Sequence, residues 1–134
     1  MSAAVLKELP EELEKEFLRG IRQFNDRQFF DCHETLEDVW RAYLEPDREF
    51  IQGIIQIAVA YYHLLRGNCE GTRKLFERGL PRVKKYGRCY FGLDMENFVA
   101  KVEKDYSRFE NEASPVREQF LIPIIEIIGP RSDC

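Results

Sequence analysis

The sequence lacks most of the features that announce a function from composition alone. Its four cysteines, Cys32, Cys69, Cys89 and Cys134, include no Cys-x-x-Cys pair, which excludes the usual zinc knuckles and dithiol redox motifs. A chain with this much core-forming material needs no disulfide framework, so a reducing compartment, cytoplasm or plastid stroma, is expected. The longest apolar stretch, residues 54–65, contains Gln56 and His63 and falls short of the roughly 20 residues of a membrane-spanning helix. The first 17 residues are acidic and carry no apolar run, unlike a secretory or organellar leader. Positive charge is not in excess either: a net charge of −4 argues against a domain built to grip phosphate backbones. No useful strand-like alternation, repeat or low-complexity segment is present.

One segment departs from that balance. Arg73, Lys74, Arg78, Arg82, Lys84, Lys85 and Arg88 surround the single acid Glu77, while Glu8, Glu11, Glu12, Glu14 and Glu16 crowd the N-terminal end. A solvated helix face explains the basic run better than RNA binding does. The two biases are placed to offset one another within a chain or between subunits.

What is present is a good helical core. At 44% hydrophobic and 33% charged residues over 134 positions, the chain suits one compact domain, residues 1–134. Pro10 stands well as the first residue of a helix running to about Asn25, with Leu13, Phe17, Leu18, Ile21 and Phe24 at helical spacing. A second helix is predicted over residues 29–44, closed before Pro46, and a third from a cap at Asp47 to residue 65 or 66, stopped at Gly67-Asn68. A fourth is predicted from about Asn68 or Thr72 to Lys85, weakened near Gly79 and Pro81. A fifth runs from Met95 to Phe109 behind Asp94. The isoleucine-rich tail, residues 115–128, reads as a short helix or an extended arm docked on the bundle or on a second subunit. The expected fold is therefore all-α, a bundle of five or six helices.

Histidine is scarce, with only His33 and His63 in the chain, and each lies in a strongly apolar helical stretch. A buried polar group left without a partner costs about 1–3 kcal/mol, so these positions direct attention to a site. Advancing about 100° per residue groups Leu36, Phe29, Trp40, His33 and Leu44 within about 80° of arc, with Glu37 at the border. This places His33 on the core face of the second helix. On the third helix Gln52, Gln56, Val59 and His63 share one narrow stripe. That stripe either faces water or faces His33 across the hairpin that the short 45–47 connection enforces.

The pattern Phe24-Asn25, Phe29-Phe30, His33-Glu34-x-x-Glu37-x-x-Trp40-Arg41, then Phe50-x-x-Gly53-x-x-Gln56-x-Ala58, His63, Gly67-Asn68 and Gly71 resembles the domain-of-unknown-function family number 309 of bacteria, archaea and plants. The likeness covers about residues 24–80. It implies an all-α multihelical fold with the His, Glu and Trp of the motif clustered inside, and it implies no activity.

Three chemistries compete for the cluster His33, Glu34, Glu37, Trp40, Gln52, Gln56 and His63. In the first, His33 and Glu37 at i,i+4 with His63 bind a divalent metal, and Glu34 stands where a zincin general base would stand, so that metal-dependent hydrolysis is the enzymatic alternative. In the second, the same groups orient a small molecule beside Trp40 and Tyr43 or Tyr62. In the third, a hydrogen-bonded network fixes helix register without ligand or turnover. Cys32 beside His33 is no dyad, because adjacent helical residues diverge by about 100°. A non-catalytic helical domain, structural or ligand-binding, is the favoured expectation, and a homodimer is an expected partner state.

Overall fold

A computed structural model describes residues 8–129; Cys134 and the first residues of the acidic N-terminal stretch lie outside them. Among these residues the chain forms α1 (Glu11–Asn25), α2 (Phe29–Ala42), α3 (Arg48–Leu65), α4 (Cys69–Lys84) and α5 (Glu96–Ser107), with β1 (Cys89–Tyr90), β2 (Leu93–Asp94) and β3 (Glu126–Ile127). The fold is predominantly helical, as expected, with one small antiparallel sheet in the order β1-β2-β3.

Local chemistry sets the helix ends. Pro10 is the N-cap of α1 and not its first residue, so the helix begins one residue later than expected, and the Pro10 carbonyl accepts from Leu13 N and Glu14 N at 2.9 Å. Glu11, Glu12 and Glu14 fill the first turn, where carboxylates complement the positive end of the helix dipole. Asn68 caps α4 by accepting from Gly71 N at 3.0 Å, after Gly67 reverses the chain at φ +80°. The Asp94 carboxylate accepts from Glu96 N at 3.1 Å and starts α5. Pro81 lies inside α4, which continues past it to Lys84.

α1 to α4 pack as successive antiparallel neighbours. Phe24 of α1 meets Phe29 of α2; Trp40 and Phe30, at opposite ends of α2, meet Arg48 and Tyr62 at opposite ends of α3. α3 and α4 approach so closely that a Cβ on Gly79 would sit 2.9 Å from the Gly53 carbonyl oxygen, and one on Gly53 2.7 Å from Val83 Cγ1. The centre is aromatic: Phe24, Phe29, Tyr61, Phe76 and Phe98 interlock, mostly edge to face.

The tail is an extended arm, the second of the two forms expected, with a short 3-10 turn at Arg117–Gln119. Asp105, fully buried in α5, accepts from Leu121 N at 2.7 Å, Ile122 N at 3.1 Å and the Tyr61 hydroxyl at 2.6 Å. Successive N–H groups converging on one carboxylate require a sharp turn, and Ile122 adopts φ 45° there, a conformation a β-branched residue rarely takes. Further on, the Asn25 side chain accepts from Ile125 N at 2.7 Å and donates to Ile125 O at 2.9 Å.

The strands were not foreseen, since two-residue strands hold no period to read. Cys32 and Cys69 carry free thiols, while Cys89 is disulfide-bonded, which revises the expectation of a chain without bridges.

Candidate functional site

The motif helix is rotated from its expected setting. α2 buries Phe29, Cys32, Thr35, Leu36 and Val39, and Leu44, expected on the core face, is 76% exposed beyond the helix end. His33 and Trp40 stand on the border of the buried arc and Glu34 faces solvent. The reason is that α2 lies between α1 and α3: Leu36 and Thr35 must meet Gly20 of α1, which turns the buried arc toward the Cys32 and Val39 side.

His33 therefore lies in the α2–α3 seam with its side chain 28% exposed, Nε2 standing 3.9 Å from Glu37 Oε1. Glu37 also accepts from Arg41 at 3.3 Å, so its charge is shared on a half-exposed surface, where such pairs contribute little. The His33 ring touches Phe30 (centroids 5.6 Å), Phe30 touches Tyr62 (5.7 Å) and Tyr62 touches His63 (5.9 Å). At the other end of the seam the Arg48 guanidinium sits 3.9 Å above the Trp40 ring, a cation–π contact. The Trp40 Nε1 is buried and has no hydrogen-bond partner.

The α3 stripe belongs to a different seam. Gln56 lies against Gly79 of α4, and the His63 ring lies against Gly71. His63 Nδ1 is 3.4 Å from Asn68 Nδ2, and Gln56 Oε1 is buried without a partner. Gln52 is half-buried. Among the described residues no hydrogen bond joins His33 to Gln52, Gln56 or His63. The stripe does not face His33 across the hairpin: Gln56 and His63 pack against α4 and stay partly exposed at its margin.

The expected metal triad is corrected by this division. His33 and Glu37 belong to one seam and His63 to the other, and among the described residues no three His, Cys, Asp or Glu side chains converge to hold an ion. The small-molecule arrangement loses Tyr43, whose hydroxyl is committed to Asp47 at 2.8 Å inside the protein.

Sequence reasoning missed the strongest polar anchors. Asp105 has a signal that was legible: with Phe98 and Val102 it occupies the i, i+4, i+7 stripe of α5, an acid on a core face. Asp47, 8% exposed, accepts from Tyr43 and from Tyr90 at 2.6 Å; burial first, then the Asp47 hydrogen bond, holds both phenols above their ordinary range. Glu49 takes Lys85 at 2.9 Å and Arg82 at 3.3 Å, which holds its carboxyl below the usual range, the Lys85 hydrogen bond being the main cause. The basic run of α4 is thus answered in part by α3, with Arg73 on Glu77 and Lys84 on Glu103, rather than by the acidic start of α1.

Fold and site together define an all-α domain whose motif residues occupy helix seams. Residues 17–75 match the family Domain of unknown function (DUF309), and the resemblance carried by the His33-to-Trp40 motif holds. The matched segment runs from α1 into α4 and contains the whole α2–α3 hairpin. The chain is also 29% identical over 101 residues to the Uncharacterized protein YpuF of Bacillus subtilis (strain 168), an alignment covering 73% of this chain. It spans 57% of that relative's length. No helix among the described residues is long and apolar enough to cross a membrane.

Proposed function

We propose that this domain is a non-catalytic assembly module that pairs with a second copy of itself through the face formed by α2, α3 and α4. The observation that carries the reading is the order of charge across that face. On one flank α2 exposes Asp31, Glu34 and Asp38, with Arg41 paired to Asp38 within the helix and Arg19 of α1 in the field of Asp31 and Asp38. In the middle α3 offers the half-exposed Gln52, Gln56, Val59 and Tyr62. On the other flank α4 and its C-cap carry Arg78, exposed, and Arg82 and Lys85, which share the single Glu49.

A two-fold axis lying in the interface and running along α3 superposes the acidic flank of one copy on the basic flank of the other. Both contacts are then made twice, as an isologous interface requires, and like charges are kept apart. In this reading His33, Glu37 and Trp40 set α2 against α3, and Gln56 and His63 set α4 against α3, so that the flanks are presented at fixed spacing. No substrate is turned over.

Sedimentation equilibrium over a concentration series tests the proposal. The expected species is a dimer that weakens with added salt, because rim charges are screened. Arg78→Glu is expected to give a folded monomer, and Arg78→Glu combined with Glu34→Lys to recover the dimer. A chain that is monomeric throughout, or a dimer indifferent to both reversals, overturns the reading.

A further inference from the structure

A cleft of about 440 Å³ opens between α4 and α5, apart from the face just described. Its floor is the buried pair Phe76 and Leu80, and the Tyr106 ring, 6.2 Å from that of Phe76, makes one wall. The rim is negative. Glu77, Glu103 and Glu110 line it against a single lysine, Lys84, which is already engaged by Glu103. Glu77 takes Arg73 at 2.7 Å and the Tyr106 hydroxyl at 3.0 Å, whereas Glu110 is exposed and left for solvent.

The backbone adds a second, independent acceptor. Pro81 lies in this lining inside α4 and has no N–H to give the carbonyl one turn earlier, which is that of Glu77. An apolar floor and an exposed carboxylate therefore border one space, and the turn of α4 that walls it, Glu77 to Pro81, holds a carbonyl without its ladder donor.

We propose that this cleft binds a small organic cation, a primary ammonium carried on an aromatic or branched aliphatic body. The volume lies within the roughly 300–1,000 Å³ of ligand pockets. The body covers Phe76, Leu80 and the Tyr106 ring. The ammonium, which has donors and no acceptor, meets Glu110 and the Glu77 carbonyl, and the rim repels carboxylates of the same shape.

The test is a heteronuclear NMR titration of the whole chain with 2-phenylethylamine, using 3-phenylpropionate as the matched anion. The amine is expected to shift amides of residues 76–84 and 103–110, with the anion at least about tenfold weaker. Glu110→Gln is expected to weaken the amine about fivefold, the effect of one partly exposed charge contact. Pro81→Ala supplies the missing N–H and is expected to weaken it similarly without lowering the melting temperature. Equal binding of amine and anion, indifference to both substitutions, or no shift by about 20 mM amine overturns the proposal. So does movement of the same amides on diluting the protein alone, which assigns the cleft to a second copy.

Discussion

The hydroxyl of Tyr61 donates to the carboxylate of Asp105 at 2.6 Å, and both residues are fully buried. This bond joins α3 to α5, and through Asp105 to the tail at Leu121 and Ile122. Burial, reinforced by the negative charge of Asp105, holds the Tyr61 phenol well above its ordinary range.

Removing that hydroxyl leaves a buried carboxylate short of a donor. Tyr61→Phe is expected to cost about 1.5–3 kcal/mol, as for a hydrogen bond to a charged group, with little loss of packing. Asp105→Ala is expected to cost more, because the left-handed Ile122 then has nothing to hold it. Urea denaturation of both variants checks this; a Tyr61→Phe midpoint equal to wild type contradicts it.

Alkaline pH is expected to reveal Cys32. Burial pushes its thiol up to about 12, so above about pH 9, where an ordinary thiol ionises, the unfolded chain gives up a proton that the folded one keeps. Stability is then full below pH 9 and falls as pH rises toward 12, by at most about 1.4 kcal/mol per pH unit from this group. Cys32→Ser is expected to show a shallower decline than wild type, while Tyr43, Tyr61 and Tyr90 contribute equally to both. Identical pH profiles contradict the assignment. A thiol reagent near neutral pH is expected to label Cys69, which is partly exposed, before Cys32.

Asn25 acts as a latch because its amide matches both backbone groups of Ile125. Asn25→Asp keeps the acceptor and loses the donor, so hydrogen exchange at residues 125–128 is expected to accelerate while the core of α3 is unchanged. Exchange that stays as slow as in wild type contradicts a latch at this position.

The helices were legible because each carries its own punctuation: Pro10 and a glutamate-rich first turn, Pro46, Gly67 with the Asn68 cap, and Asp94 before α5. The tail was legible only as apolar. Whether it coils or extends depends on Asp105 and Asn25, distant residues that supply the tail's backbone partners. The motif residues do not form one cluster. His33, Glu37 and Trp40 lie together as their spacing on one helix requires, whereas Gln56 and His63 face α4.

The sequence by itself determined where the helices begin and end to within about two residues, that a core exists, and which side chains share a helix face, because capping chemistry and the 3.6-residue period are local. Only the tertiary structure decided how far each helix turns about its own axis. α2 must satisfy Gly20 of α1 and Tyr62 of α3 at once, and α3 must admit the Gly79 backbone, so close packing on two sides, which no single-helix pattern contains, carries His33 to the border and divides it from His63.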